Sequence, residues 1–308
     1  MNLSYLDPKI DLVFKRVFSR ANLLLDFLNA VLPLDAPIES LTYLPTEQAP
    51  QVPGMRFSIV DVKCCDQSGQ VFVVEMQMLW TDAYFSRILF SGAQAIVNQL
   101  SSGAAYQSLC RVYSVTVLND VFEKDPGEKD RWLHHYKITR LAEHDKVLQG
   151  LQFVILELPK FTPQTRVEKQ VTALWLRFLC ETGKSGFVPD EAFLSYPPVA
   201  DAVKLTEFKG YSAVEIESYQ KYLDALSNEK SFLLDAETKG RAQGMEEGRV
   251  EGMEEGIEKG RVAGLQEGIE KGRLAVARNL LALLDDDEAI AQASGLALAA
   301  IKKLRQGA

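Results

Sequence analysis

Cysteine, histidine and positive charge are the scarce materials of this chain. Its 308 residues include four cysteines and three histidines. Cys64, Cys65, Cys110 and Cys180 show no CxxC spacing and read as small buried hydrophobes in a reducing cytoplasm. His134, His135 and His144 have no Cys or His partners at metal-ligand spacing. Long apolar runs are missing too: none approaches the roughly 18 residues that span a bilayer. The opening MNLSYLDPKIDLVFKR meets Asp7, Lys9 and Asp11 before a signal-type stretch can form, so a cytoplasmic chain without membrane partners is expected.

Basic charge is also short, with 34 Lys and Arg against 42 Asp and Glu and a net charge of −8. Residues 1–120 carry 8 against 11, residues 121–235 carry 15 against 18, and residues 236–308 carry 11 against 13. No third of the chain is a basic module, which excludes nucleic-acid binding by charge alone. It does not exclude an enzyme that recruits a cation to an acidic site.

What remains is a soluble, core-forming composition, 47% apolar and 25% charged. Asp7 and Pro8 predict a helix start, and Ile10, Val13, Phe14, Val17 and Phe18 recur at helical spacing behind them. Asp11 and Lys15 lie off that face. A second helix is expected over 21–32, and an extended stretch from Ile38 to Leu44 between prolines. Ile59–Cys64 and Val71–Met78 read as two strands joined by the turn cluster Asp66-Gln67-Ser68-Gly69, a hairpin. A helix over Asp82–Leu100, a strand over Arg111–Leu118, and two further strands at Tyr136–Ile138 and Leu151–Leu158 complete an α/β or α+β core. Helical spacing then runs from Thr165 to Leu234.

The tail changes character, because glycine occupies every fourth position from Gly240 to Gly272. Three twelve-residue units follow one another: GMEEGRVEGMEE, GIEKGRVAGLQE and GIEKGRLAVARN. A step of four advances an α-helix by 400°, so the stripe drifts about 40° each time and cannot make a straight seam or a heptad coiled coil. A solvated helical rod, serving as spacer or self-association element, is the expectation. Two short helical stretches around Ser294-Gly295 close the chain, with the outline of a helix-turn-helix. The predicted organisation is therefore a core over 1–160, a helical subdomain over 161–235, a glycine-rich rod over 236–279 and a small helical hairpin over 280–308.

Chemistry points to the hairpin. Side chains alternate along a strand, so Glu75 and Gln77 share one face with Val71 and Val73, while Phe72, Val74, Met76 and Met78 take the other. Asp61, between Val60 and Val62, points away from its apolar neighbours and comes within reach of Glu75 across a tight hairpin. Two converging carboxylates at the end of an apolar sheet are costly unless a cation holds them. Oxygen ligands of this kind suit Mg2+, or Mn2+, and such a metal polarises phosphate and acidifies a bound water. The alternative is that Asp61, Glu75 and Gln77 line the wet face of the hairpin.

The blocks DPKIDLVFKRVF, LLLDFLNAVL, FSIVDVKCCDQSGQVFVVEMQ and YFSRILFSGAQAIVNQLSSGAAYQSLCRVYSVTVLN, in that order, resemble the recombination-promoting nuclease family, also described as PD-(D/E)XK nuclease family transposase. The resemblance is dense over about 7–120 and thinner over 121–235. It implies an α/β fold of the restriction-endonuclease-like kind, a mixed sheet flanked by helices with a helical C-terminal extension. It also implies metal-dependent DNA cleavage in recombination or mobile-element biology.

Carried over, Asp61 and Glu75 match the two acidic metal ligands, while Gln77 stands where the superfamily usually has lysine. Glutamine orients a water but brings no positive charge. Lys63, on the strand face of Asp61, is a candidate for the missing cation. Asp11 matches a position from which relatives add an acidic group, and Arg87 is the candidate phosphate contact. Ordinary surface pairing, such as Asp11 with Lys15, is the other reading of these three. The expected protein is an Mg2+-dependent DNA endonuclease that forms a homo-oligomer, dimer or higher, through its tail. The competing expectation is a catalytically weak or inactive DNA-associated interaction protein of the same fold.

Overall fold

The computed structural model describes residues 4–48, 57–100, 103–162 and 170–306. Its elements, in chain order, begin with helices α1 (Asp11–Phe18) and α2 (Ala21–Val31), then strands β1 (Leu41–Tyr43), β2 (Glu47–Gln48) and β3 (Ser58–Ile59). The hairpin β4 (Val62–Asp66) and β5 (Val71–Gln77) leads into helix α3 (Ala83–Val97) and strand β6 (Val112–Leu118). Strands β7 (Leu133–Arg140) and β8 (Glu143–Glu157) follow, then helices α4 (Gln170–Glu181), α5 (Glu191–Ser195), α6 (Pro197–Leu205), α7 (Ala213–Leu281), α8 (Asp287–Ser294) and α9 (Leu298–Gln306).

Six strands form one mixed sheet in the order β1-β4-β5-β6-β8-β7, parallel where β6 meets β5 and β8 and antiparallel elsewhere. The β4–β5 hairpin turns as its sequence predicts. The Asp66 carboxylate accepts the backbone N–H groups of Ser68 and Gln70 at 2.9 and 2.8 Å, and Gly69 adopts φ 81°, a left-handed value that glycine reaches without strain. The mixed sheet flanked by helices is thus the architecture read from the sequence, and its C-terminal extension is helical.

Both faces of the sheet are covered. Helices α1, α2 and α4 close over Val62, Cys64, Phe72 and Val74 in the larger core, with Phe14, Phe18, Phe27 and Trp175 in ring contact at its centre. Helix α3 lies on the opposite face, over Val71, Val73, Val112 and Leu151. Gly92 is where α3 meets the sheet: a Cβ there would stand 2.8 Å from Leu151. On that face of β5 Val71, Val73 and Glu75 are buried, while Gln77 at the strand end is half-buried. The apolar run VFVV already fits a strand covered on both sides by the crossover that a parallel β5–β6 pair requires.

Three local expectations are corrected. Helix α1 begins at Asp11 with Ile10 as its extended N-cap residue, not at Pro8, because the Asp7 carboxylate accepts the Lys9 N–H at 2.9 Å and closes a separate turn. The expected strand over 59–64 breaks at Val60–Asp61 into β3 and β4. Of the four free cysteines only Cys64 is fully buried.

The chain divides into two compact units, Met1–Ser227 and Asn228–Ala308. In the second, the glycine-rich segment is continuous helix within the 69-residue α7, and Gly240 to Gly272 have open space where each Cβ would be. Along it, Glu258 pairs with Arg261 and Glu267 with Lys271 at 2.8 and 2.6 Å. Helices α8 and α9 close on the end of α7 through Ala277, Ile290 and Ile301, and Gly295 (φ 68°) caps α8. No helix among the described residues is long and apolar enough to cross a membrane.

Candidate active site

The β4–β5 register pairs Val62 with Val74. One step further, Asp61 stands where the chain enters β4, at the position opposite Glu75. Its Oδ2 accepts the Met76 N–H at 2.8 Å, so the break between β3 and β4 is closed by a side chain that takes the place of a ladder bond. The strand interruption thereby aims the carboxyl group at the end of β5.

Asp61 is held in a crowded electrostatic setting. Burial is the main cause that pushes its carboxyl up to about 6; the negative charges of Asp11 and Glu75 push the same way, while the Met76 N–H and the Lys15 ammonium oppose them. Lys15 Nζ lies 3.5 Å from Asp61 Oδ1 and 2.7 Å from Asp11 Oδ1. Burial pulls the Lys15 pKa down, but Asp11 and Asp61 more than offset it and leave it raised. Helix α1 therefore delivers both an acid and a base to Asp61. Asp11 and Lys15 pair with each other, as the surface reading expected, and that pair stands beside Asp61.

Glu75 is the more buried of the two carboxylates, with its side chain 8% exposed. Strand β6 places Thr116 directly opposite it in the parallel register. From α3, the Tyr84 hydroxyl donates to Glu75 Oε2 at 3.3 Å and shares a 3.4 Å contact with Thr116 Oγ1. Burial, with the Glu75 charge behind it, raises the Tyr84 phenol, keeping it a donor. Arg87, one helical turn after Tyr84, sets its guanidinium over the Tyr84 ring at 4.6 Å. It donates to Glu75 Oε2 at 3.2 Å and to Gln77 Oε1 at 2.9 Å. The Gln77 amide nitrogen donates to the Leu79 carbonyl at 2.7 Å. Both ends of the Gln77 carboxamide are thus engaged.

Lys63 lies elsewhere. Its ammonium is buried beneath α3 and donates to Gln48 Oε1 at 3.2 Å; burial lowers its pKa. It touches neither Asp61 nor Glu75 in this arrangement. The structure thus brings Asp11 to Asp61, and Arg87 and Gln77 to Glu75, and sets Lys63 apart. Tyr84, Thr116 and the Lys15–Asp61 contact are additions that the sequence reading missed. Only Tyr84 left a signal, its three-residue spacing from Arg87 on one helix face.

Three carboxylates and two cationic side chains therefore meet at the ends of β4 and β5. No group of three or more Asp, Glu, His or Cys among the described residues is placed to hold a metal ion. The donor chemistry of Asp61 and Glu75 nonetheless fits a small hard cation, which uses one or two carboxylates and keeps water elsewhere. Burial is the main reason the Asp61 carboxyl is raised; the Asp11 and Glu75 charges that add to it are the part such a cation would offset.

Comparison with known proteins gives one family. Residues 8–236 match the family model described as PD-(D/E)XK nuclease family transposase. No curated protein and no solved structure matches.

Proposed function

The chain belongs to the PD-(D/E)XK nuclease family transposases, and on that premise we propose that it is a metal-dependent DNA endonuclease acting in recombination or mobile-element movement. The observation that carries this reading is the Asp61–Glu75 pair, two carboxylates facing each other at a strand end where burial and mutual repulsion push Asp61 up to about 6.

Asp61 and Glu75 would hold the Mg2+, or Mn2+. Bound there, the ion would polarise the scissile phosphate and lower the pKa of a water. The other residues have positioning tasks. Tyr84 and Thr116 fix the Glu75 carboxylate from the buried side. Gln77, tied to Leu79 through its amide, holds Arg87 by its carbonyl, and Arg87 presents the positive charge that meets the phosphate. Lys15, paired with both Asp11 and Asp61, would offset part of the Asp61 charge whenever no metal is bound. Lys63 is too deeply engaged with Gln48 to serve that phosphate without a rotamer change.

The proposed division of labour assigns chemistry to the core over 1–160 and support to the helices of 161–235. The rod over 236–279 and the hairpin over 280–308 contribute assembly or DNA affinity. Cleavage of supercoiled plasmid with and without Mg2+ tests the reading. Nicking by wild type that disappears on chelation and in Asp61→Asn supports it.

A second reading has its own observation. Each carboxylate already has a cationic side chain, Lys15 on Asp61 and Arg87 on Glu75. A weak or inactive DNA-associated interaction protein would keep such a self-neutralised site. DNA retention without nicking at any Mg2+ or Mn2+ concentration would favour it.

A further inference from the structure

The second unit carries its apolar residues on the outside. Among the described residues from Asn228 onward, thirteen large hydrophobics are exposed, whereas the fully buried apolar set is Ala277, Ile290 and Ile301. A chain segment of this size with so small a core lacks the burial that stabilises a free-standing fold. Its helix also contains nine glycines between 240 and 272, each costing about 1 kcal/mol relative to alanine. Left alone, such a helix is only marginally stable.

The exposed residues are arranged in two patches. At about 100° per residue, Val250, Met253 and Ile257 fall within roughly 60° of one another, and Val262, Leu265 and Ile269 within another such arc. All six are 43–61% exposed. The second patch is rotated about 120° from the first, so the apolar line climbs the helix along its i±4 ridge. A partner helix follows a line that drifts in this sense by winding around it right-handedly, not along a straight seam.

Charge identifies the partner. Residues 240–255, around the first patch, hold five glutamates and two arginines, while residues 256–279, around the second, hold three glutamates and five lysines or arginines. We propose that this helix docks on a second copy of itself in antiparallel order, the Val250–Ile257 patch of one copy against the Val262–Ile269 patch of the other. Antiparallel order sets the acidic half of each copy against the basic half of its partner, at both ends of the contact. Parallel order would set like against like. A nucleic acid would meet repulsion along the acidic half.

Two measurements on the full-length chain decide it. Sedimentation should give a species of twice 34.4 kDa at micromolar concentration. Because Leu265 and Ile269 are exposed, Leu265→Gln with Ile269→Gln leaves the single copy folded and should raise the dissociation constant roughly tenfold or more. Carbodiimide treatment of an equal mixture of isotope-labelled and unlabelled chains should link Glu247 of one copy to Lys271 of the other. These residues stand about 36 Å apart along one helix, beyond the reach of an intramolecular link. A monomer at all concentrations, a dimer unaffected by the double substitution, or mixed-isotope links pairing Glu247 only with residues near its own position would each overturn the proposal.

Discussion

Asp61 is tied to Met76: its Oδ2 accepts the Met76 N–H at 2.8 Å, on the residue that follows Glu75. That bond fixes a partly buried carboxyl beside a second one, and the pKa of Asp61 rises to about 6 as a result of burial first and like charge after it. Folding therefore costs more when Asp61 is ionised.

The pH dependence follows in sign. A carboxyl whose folded pKa lies above its unfolded value binds its proton more tightly in the folded state, so its penalty is absent at low pH and grows as pH rises from about 4 through about 6. Asp61→Asn should accordingly be at least as stable as wild type at pH 7, by up to about 3 kcal/mol, since the rise to about 6 already includes the Lys15 attraction. The advantage should shrink as pH falls toward 4. Urea unfolding at both pH values checks this; an advantage that is the same at both would show that the Asp61 carboxyl is not the cause.

Arg87 is expected to matter more to turnover than to folding, since its side chain is 55% exposed. Arg87→Ala should lower kcat by about 100-fold with a smaller change in KM, the range found when one preorganised charge at a transition state is removed. Adding Gln77→Lys should restore part of the loss, because a lysine there places a cation beside Glu75. Single-turnover nicking by the two variants is the check, and a double variant no better than Arg87→Ala would refute the charge argument.

The two units should separate in function. A chain ending at Asp235 retains Asp61, Glu75, Arg87 and every strand of the sheet, so metal-dependent nicking should survive at high protein concentration. Complete loss of cleavage by a truncated chain with a native circular dichroism spectrum would place part of the chemistry in the tail.

Hydrogen exchange should distinguish the same units. Amides of 240–279 should exchange faster than those of β5 and β6 at submicromolar concentration, because the helix buries little of its own surface. Their exchange should slow as concentration rises and copies pair. Core-like protection at every concentration would mean a permanently packed helix.

Much of this arrangement is legible in the chain. The β4–β5 hairpin announces itself through two β-branched runs around a four-residue turn, and Asp61 and Glu75 follow from its register. The glycine period delimits the rod. What alternation along β5 cannot reveal is that both faces are buried, since the cover on Glu75 comes from α3, a separate element. Tyr84 and the contact of Lys15 with Asp61 escape notice for the same reason: they reach the carboxylates through the packing of helices, not through spacing along the strand. Helix α1 starts later than an Asp-Pro pair suggests, because Asp7 closes a turn of its own onto Lys9.

The central claim is that Asp61 and Glu75 share one divalent cation that cleaves DNA. Thermal unfolding and plasmid nicking, measured on the same preparations of wild type and Asp61→Asn over a Mg2+ titration, test it most directly. The account predicts that Mg2+ raises the wild-type melting temperature and switches on nicking over the same concentration range. In Asp61→Asn it should do neither, although that variant melts no lower than metal-free wild type. Equal Mg2+ stabilisation of both proteins, or no Mg2+ response in wild type, would contradict it and leave the interaction-protein reading in its place.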